Sequence, residues 1–334
     1  MHVGVMGAGA IGGYLGGHLA AAGASVTLVG RPALGTLLAE EGLTLHGLNA
    51  APQILPLSAT LRYTTDPATL AGCDAVLVCV KSTDTDAVGE VLRGVLPTDA
   101  LVVSFQNGLR NPARLRAALP DAVVLGGMVS FNVVRQGAAL RQATSGPVVL
   151  GEHSGREAAL LSALRATGLP CQSHADMPGI LSGKLQFNLN NAINALCGLP
   201  LREQLADRAF RRLIAAVMRE GLAAQQAAGQ PPRRLGKMMP RLAPWILPLP
   251  DGLFTRVAGT MLQVEDGARL SMWDDLCRGK KTEIDQLNGE IVALGQRYGV
   301  PTPLNARIVD LVRAAEDAAQ GSPGLTAAEI RGAQ

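Results

Sequence analysis

A glycine-rich segment lies near the start of the chain, between a strand-like run and a helix-like run. Gly7-Ala8-Gly9-Ala10-Ile11-Gly12 matches GxGxxG; it follows the apolar run His2–Met6 and leads into the alanine- and leucine-rich run Ile11–Ala22. In this pattern the first glycine permits a tight turn, the second lets the backbone approach a pyrophosphate, and the third allows close helix packing. The first N–H groups of the helix then bind phosphate oxygens. The segment therefore predicts a dinucleotide-binding βαβ unit.

Strand-like runs continue through the first half, at spacings that leave room for helices. They are Ser25–Val29, Ala75–Val80, Leu101–Phe105 and Val123–Gly126. Strands separated by crossover helices predict an α/β fold with a doubly wound parallel sheet of the Rossmann type. Three further runs, separated by glycines, predict a small antiparallel extension: Ser130–Arg135, Ala138–Gln142 and Pro147–Gly151.

After about Cys171 helical patterns replace the strand signals. The predicted helices are Gly183–Leu196, Ala206–Gln226, Phe254–Leu262, Ser271–Leu276 and Lys281–Tyr298, and the proline-rich segment Pro231–Pro250 is a loop or a set of short helices. The tail after Gly321 is small and polar, and we expect it to fray. We therefore predict a Rossmann domain at residues 1–172 and an all-helical domain at residues 173–330.

The composition argues against several kinds of partner. Lys plus Arg number 30 and Asp plus Glu 27, too even a balance to indicate nucleic acid or an anionic membrane. The five cysteines form no CxxC pair, and the five histidines are not spaced as ligands on one element, so we expect no metal. The uncharged N-terminal run lacks the basic residues of a signal peptide. We expect a cytoplasmic protein; a homodimer is compatible with the sequence, which carries no signal for oligomeric state.

The end of the second predicted strand indicates which dinucleotide binds. An NAD site usually has Asp or Glu there, about 20 residues after the glycines, to bond the ribose 2′-hydroxyl. Here Val29 is followed by Gly30 and Arg31, and the next acid is Glu40. A guanidinium pairs with a 2′-phosphate, which a carboxylate would repel. The sequence therefore favours NADP(H), with a solvated surface arginine as the alternative.

Two more polar loops follow predicted strands. Lys81 comes after Ala75–Val80, and Asn107, followed by Gly108, comes after Leu101–Phe105. Ligands of open α/β sheets bind beyond the carboxyl ends of the strands, so both residues are candidates for the cofactor site. A plain turn explains Asn-Gly equally well, because both residues tolerate positive φ.

The second half contains a lysine among side-chain amides. Lys184, Asn188 and Asn191 are offset by four and seven residues, so on one helix they share a face. Loss of solvent can lower the pKa of a lysine until it transfers protons near neutral pH. An exposed helical lysine is the alternative for this segment alone.

Two later segments also carry polar candidates. Ser271 begins an S-x-x-D pattern that predicts a helix N-cap, and such a serine can also present its hydroxyl to a carboxylate. Glu283 lies beside an apolar stripe of the last predicted helix, formed by Ile284, Leu287, Ile291 and Leu294. From spacing alone it is a solvated or salt-bridged residue.

Taken in order, these motifs resemble the ketopantoate reductase (2-dehydropantoate 2-reductase) family. The likeness also includes Lys281-Thr282-Glu283-Ile284-Asp285 and Leu287-Asn288-Gly289, and it spans Gly4 to about Glu316. It implies NADPH-dependent reduction of ketopantoate to pantoate, a step toward pantothenate and coenzyme A. It also implies that Lys184 donates a proton to the carbonyl oxygen and that Glu283 orients this lysine or bonds substrate and cofactor.

The resemblance further implies how the ligands are held. Ser271 would bind the substrate carboxylate, and Asn107 and Asn188 would contact substrate or nicotinamide ribose. Arg31 and Lys81 would bind the adenosine phosphates. The family often has another asparagine where this chain has Ala192; Asn191 points to the lysine's face, so we transfer the role to it. This departure leaves another branched or hydroxylated 2-keto acid open as substrate.

Two other functions stay open. An opine-type or 3-hydroxy acid dehydrogenase combines similar domains, and opine-type catalysis usually relies on a histidine–aspartate pair. His174 and Asp176 are the candidates here, but their place near the predicted domain boundary favours a structural role. A non-catalytic NADP-sensing protein needs no lysine–glutamate pair, so the presence of both residues argues against it.

Overall fold

The computed structural model describes residues 1–48, 50–236, 239–259 and 267–332. The chain divides into two compact units, Met1–Met177 and Pro178–Gln334. Residue 172, where we placed the end of the first domain, lies inside the last strand of the first unit, Cys171–His174. That strand pairs with Val148–Gly151, so it belongs with the preceding sheet.

The first unit contains twelve strands and five α-helices among its described residues. The strands are β1 (His2–Met6), β2 (Ser25–Val29), β3 (Leu43–His46), β4 (Gln53–Leu55), β5 (Leu61–Thr64), β6 (Ala75–Val78), β7 (Leu101–Ser104), β8 (Val123–Val129), β9 (Val133–Gln136), β10 (Ala139–Gln142), β11 (Val148–Gly151) and β12 (Cys171–His174). The helices are α1 (Ala10–Ala21), α2 (Pro32–Glu41), α3 (Thr85–Arg93), α4 (Asn111–Ala118) and α5 (Ala158–Ala166), with 3-10 turns at Pro67–Gly72 and Ser82–Asp84.

The main sheet has the order β12-β11-β8-β7-β6-β1-β2-β5, and all neighbours are parallel except β8 and β11. Alternate residues of its central strands pack into two different hydrophobic clusters. Val3, Val5 and Leu77 pack into one cluster, and Val76 and Val78 into another. Strands buried on both faces are continuously apolar, which is why they were recognisable in the sequence. The predicted Rossmann-type sheet is confirmed.

The predicted antiparallel extension is only partly correct. β9 and β10 form an antiparallel pair within a second sheet of order β4-β3-β10-β9. The run Pro147–Gly151 instead supplies β11, which joins the main sheet between β8 and β12. All four β11 residues are buried, and β12 provides a parallel partner that the sequence pattern did not indicate.

The second unit is helical, as predicted. Its helices are α6 (Met177–Asn188), which starts at the last residue of the first unit, α7 (Asn190–Cys197), α8 (Leu201–Ala206), α9 (Arg208–Ala227), α10 (Ala243–Ile246), α11 (Asp251–Ala258), α12 (Ser271–Cys277), α13 (Asn288–Tyr298), α14 (Pro303–Ala318) and α15 (Ala327–Arg331). A 3-10 turn covers Ile284–Gln286. None of the described helices is both long and apolar enough to cross a membrane.

Several helix boundaries differ from the prediction. The predicted helix Gly183–Leu196 starts earlier and is interrupted at Leu189, between α6 and α7. The predicted helix Lys281–Tyr298 breaks at Leu287, whose φ of −108° and ψ of −94° are not helical. For the predicted helix Phe254–Leu262, α11 covers the first part, and residues 260–262 lie outside the described residues.

The C-terminal tail is ordered, contrary to our expectation. Thr326 and Glu329 form a capping box at the start of α15, in which each side chain accepts a backbone N–H of the other residue. Ile330 is fully buried. A cap and a buried anchor together hold α15 in place, so this part of the tail does not fray.

Candidate active site

Four neighbouring strands of the first unit end at the same level. In the register of the sheet, Met6 of β1 pairs with Val29 of β2 and with Val78 of β6, and Val78 pairs with Ser104 of β7. The predicted cofactor residues follow these ends: the glycine-rich loop after β1, Arg31 after β2, Lys81 after β6 and Asn107 after β7. The topology therefore brings them to one edge of the sheet.

The three motif glycines have different requirements. Gly7 has a φ of +104°, and a Cβ there would lie 2.7 Å from the backbone nitrogen of Val80. A Cβ at Gly12 would lie 2.2 Å from the Gly7 carbonyl oxygen, whereas one at Gly9 would meet nothing within 4 Å. The fold itself thus requires glycine at positions 7 and 12. At position 9 the space is open, as an approaching ligand needs.

The N-terminus of α1 is suited to an anion. Gly9 is its N-cap, no described side chain caps it, and its first turn contains no acidic residue. The N–H groups of Gly7 and Ala8 donate to the Val29 carbonyl, at 3.0 and 2.9 Å, which fixes the loop against β2. The first N–H groups of a helix have no intrahelical acceptor, so the pyrophosphate of a dinucleotide fits here.

Arg31 lies at the start of α2 and is exposed. Its carbonyl accepts a hydrogen bond from the Tyr63 hydroxyl at 2.7 Å, and the Gly30 N–H donates to the Thr64 carbonyl at 3.0 Å. Within the described residues its guanidinium has no hydrogen-bond or ion-pair partner. β5 therefore fixes the Arg31 backbone while the side chain stays available to a ligand.

A buried polar cluster joins the loops after β6 and β7. Asn111 Nδ2 donates to Ser82 Oγ at 2.9 Å, and Ser82 Oγ donates to the Asn107 carbonyl at 3.0 Å. Thr85 Oγ1 accepts from Gln106 Nε2 at 2.8 Å and donates to Asn111 Oδ1 at 2.9 Å. Sequence reasoning missed the supporting roles of Ser82, Thr85 and Asn111, because single Ser, Thr and Asn residues form no recognisable motif.

Lys184 and Glu283 are brought together in the second unit. Lys184 lies on α6 and is partly buried; this burial lowers its pKa to about 8, and the Glu283 carboxylate acts in the opposite direction. Glu283 precedes the 3-10 turn, where its carbonyl accepts the N–H groups of Gln286 and Leu287 at 3.0 and 3.1 Å. The arrangement is a lysine that can exchange a proton near neutral pH beside a carboxylate that stabilises its charged form.

The amides near Lys184 lie on either side of the helix interruption. Asn188 is the last residue of α6, and Asn191 lies in the first turn of α7. Asn191 is 8% exposed, and its side chain has no hydrogen-bond partner in the part of the chain that the structure describes. Ala192 is fully buried, so position 192 offers no polar group. Asn191 therefore retains free hydrogen-bonding capacity.

Ser271 is exposed, but it does not cap a helix as predicted. It is the first residue of α12, Leu270 is the N-cap, and neither side chain makes a capping bond. The Leu270 N–H instead donates to Asn194 Oδ1 at 2.9 Å. Asn194 Nδ2 donates to Gln204 Oε1 at 3.1 Å. Buried amides of α7 and α8 thus fix the start of α12, and the Ser271 hydroxyl is not used in capping.

His174 and Asp176 form a local contact. The Asp176 N–H donates to His174 Nδ1 at 2.9 Å, two residues apart along the chain. This bond between a backbone N–H and a side chain two residues earlier is a local turn contact, and it fixes the orientation of the imidazole. The contact supports the structural role that we expected for this histidine.

Comparison with known proteins assigns the chain to a family. A family model described as ketopantoate reductase PanE/ApbA matches residues 3–155, and one described as ketopantoate reductase PanE/ApbA C terminal matches residues 177–316. The chain belongs to the ketopantoate reductase family. The resemblance identified from the sequence is thereby confirmed, and the chain is an oxidoreductase that acts on a keto or hydroxyl group.

Individual relatives are similar over almost the whole chain. A 2-dehydropantoate 2-reductase from Halobacterium salinarum is 27% identical, covering 95% of this chain and 99% of that protein. The solved PanE/ApbA family ketopantoate reductase from Ralstonia eutropha is 32% identical, with a TM-score of 0.81 and coverage of 96% and 100%. A D-mandelate dehydrogenase solved with NADH and anilino(oxo)acetate reaches a TM-score of 0.79 at 19% identity, covering 96% and 100%; this likeness shows the fold alone.

Proposed function

We propose that this protein reduces ketopantoate to pantoate with NADPH, in the cytoplasm, on the route to pantothenate and coenzyme A. The observation that carries the proposal is the pair of Lys184, with its pKa lowered to about 8 by burial, and Glu283. Such a lysine is an effective proton donor to a carbonyl oxygen at neutral pH. Relatives that are named 2-dehydropantoate 2-reductase support the choice of substrate.

The residues of the first unit support a nicotinamide dinucleotide, and NADP in particular. The α1 N-terminus and the open space at Gly9 suit the pyrophosphate. Arg31, in the place where an NAD site has an acid, suits a 2′-phosphate. Lys81 and Asn107 contribute polar groups from the adjacent strand ends. When bound, NADPH supplies the hydride that goes to the carbonyl carbon of the substrate.

The residues of the second unit perform the proton chemistry and hold the acid. Lys184 donates its proton to the carbonyl oxygen as negative charge develops there, and Glu283 favours the protonated form of the lysine. Ser271 binds the substrate carboxylate, and Asn188 and Asn191 hydrogen-bond to the substrate's polar end.

A different 2-keto acid is the second candidate for the substrate. Ala192 is fully buried and replaces an asparagine that is frequent in the family, so the amides available to a substrate hydroxyl are reduced to Asn188 and Asn191. A site with fewer hydrogen-bonding groups discriminates less against a substrate that lacks the hydroxyl.

The direct test is NADPH oxidation with ketopantoate beside a panel of 2-keto acids that includes an aryl one. We expect ketopantoate to have the highest kcat/KM, with NADPH preferred to NADH. Lys184→Ala should lose turnover by orders of magnitude and keep NADPH binding. A higher kcat/KM for another acid reassigns the substrate; NADPH binding without turnover of any acid contradicts the enzymatic proposal.

A further inference from the structure

A small cavity lies beside the glycine-rich loop within the first unit. Gly9 and the start of α1 line one side, Leu34 of α2 another, and the β9–β10 hairpin a third. Arg135 of β9 is the charged residue of the lining, whose other residues are apolar or glycine. A strand of the small second sheet therefore places Arg135 beside the loop where a dinucleotide would meet α1.

Tyr63 connects this arginine to Arg31. Its hydroxyl donates to the Arg31 carbonyl at 2.7 Å. Its ring packs closely against the start of α2. A Cβ at Gly30 would come within 2.3 Å of the Tyr63 hydroxyl, and one at Gly35 within 2.7 Å of the Tyr63 ring. Burial raises the pKa of Tyr63, and the positive charge of Arg135 opposes this. The Arg31 backbone and the charged Arg135 side chain, on different elements, thus both lie near this hydroxyl.

Neither guanidinium is neutralised by a carboxylate of the described residues. Arg135 is exposed, and in the described parts of the chain no carboxylate pairs with it or with Arg31. Two like charges on neighbouring elements repel each other, and an anion bound between them would relieve this repulsion. A phosphate monoester carries close to two negative charges at neutral pH and accepts several charge-assisted hydrogen bonds, so it matches a pair of arginines.

We propose that Arg135 is a second determinant of cofactor specificity, and that it binds the 2′-phosphate of NADPH together with Arg31. The inference rests on the proposed use of NADPH. It assigns a role to the β9–β10 hairpin, which otherwise lies outside the cofactor motif. Gly137, whose φ of +60° suits glycine, forms the turn of this hairpin beside the cavity.

Calorimetric titration of NADPH and NADH into the wild type, Arg31→Ala, Arg135→Ala and the double variant tests this. For Arg135→Ala we expect NADPH binding to weaken by about 10- to 100-fold, as for loss of one charge-assisted contact, with NADH binding unchanged. Arg135→Lys should recover part of the loss. The double variant should bind NADPH no better than NADH.

Arg62→Ala is the matched control. Arg62 is exposed and adjacent to Tyr63 on β5, but strand alternation places it on the opposite face, beside Cys73. We expect its affinity for both cofactors to equal that of the wild type. If Arg135→Ala binds NADPH as tightly as the wild type while Arg31→Ala does not, the inference is wrong.

The same titrations separate the inference from the proposed function. A wild type that binds NADPH no more tightly than NADH overturns both the NADP assignment and the role of Arg135. A wild type that prefers NADPH through both arginines, but does not turn over ketopantoate, supports the inference and contradicts the proposed substrate.

Discussion

The ionisation of Lys184 sets the pH range over which the proposed reduction proceeds. Its ordinary pKa of 10.5 is lowered to about 8 by burial. Reduction needs the protonated lysine, so kcat/KM for ketopantoate should be level below pH 8 and fall about tenfold per pH unit well above it. Oxidation of pantoate needs the neutral amine and should rise over the same range. Initial rates of reduction and of oxidation, measured from pH 6 to 10, give the two pH profiles.

Glu283→Gln shows whether the carboxylate acts on that pKa. Glu283 raises the pKa of Lys184. Its removal should therefore lower the pH above which kcat/KM for reduction begins to fall. Asp285→Asn is the control, because it removes the same charge two residues away, from a carboxylate that pairs with Arg313 at 2.7 Å on the surface. It should leave the pH dependence of reduction unchanged. If the pH dependence of reduction shifts equally in both variants, the effect comes from the overall charge of the region and not from Glu283 in particular.

The motif glycines separate a folding requirement from a binding requirement. Gly12→Ala places a methyl 2.2 Å from the Gly7 carbonyl oxygen and should lower the thermal midpoint. Gly9→Ala meets no protein atom within 4 Å and should fold normally, yet weaken NADPH binding on the order of tenfold or more, because the methyl occupies the approach of the pyrophosphate. Gly72→Ala, also in open space but away from the loop, is the control for thermal melting and titration. Unchanged NADPH affinity in Gly9→Ala would refute the assigned position of the pyrophosphate.

At the scale of elements, the loops after β6 and β7 depend on one buried hydroxyl. Thr85→Val keeps the volume of the side chain but leaves Gln106 Nε2 and Asn111 Oδ1 without this partner. We expect a loss of about 1–3 kcal/mol in the free energy of unfolding and weaker NADPH binding. Thr83→Val, at an exposed position in the preceding 3-10 turn Ser82–Asp84, should change neither quantity in urea unfolding and titration. Full stability in Thr85→Val would show that the cluster does not hold the loops.

Elements whose signal is local were predictable from the sequence. β1 and β2 have the predicted bounds because continuous apolar runs beside turn residues specify a strand buried on both faces. α14 was not predicted, and its start depends on a distant residue. The Glu220 carboxylate of α9 accepts the N–H groups of Leu304 and Asn305 at 2.9 and 3.0 Å. A cap supplied from another helix leaves no pattern in the segment itself.

The two helix interruptions are also joined by contacts between residues far apart in the sequence. Asn288, at the start of α13, donates to the Leu189 carbonyl at 3.5 Å and to Asn305 Oδ1 at 3.1 Å. It thereby joins both breaks, at Leu189 and Leu287, to α14. A prediction from helical spacing alone treats each helix as continuous, so it could not show these interruptions.

The candidate site was predictable to different degrees. The glycine motif and Arg31 follow from a pattern along one βαβ unit. The proximity of Lys184 and Glu283 did not follow from spacing, which made Glu283 a surface residue, and only the family resemblance joined them. Tyr63 and Arg135 carry no motif, so their relation to Arg31 appears only when β5 and β9 are placed.

For the whole molecule, the groups proposed for the reaction are divided between two units with separate folds. Those for the cofactor follow strand ends of the first unit, and those for the proton and the substrate acid lie on helices of the second. Strand ends fix backbone N–H groups and cations for phosphates, whereas a helix can bury a lysine among apolar neighbours. Each unit therefore contributes the chemistry that its architecture provides best.

The stability of the first unit should decline at mildly acidic pH because of His18. This histidine lies on α1, with its ring centroid 4.4 Å from that of Tyr14. Its Nε2 is buried and has no hydrogen-bond partner among the described residues, and burial lowers its pKa from 6.5. The unfolded chain therefore binds the proton more readily, and the free energy of unfolding should fall as the pH drops below 6.5. Urea unfolding at pH 7.5 and 5.5 should show this loss in the wild type and in His153→Gln, an exposed control, but less of it in His18→Gln. An equal loss in all three proteins would place the acid sensitivity elsewhere.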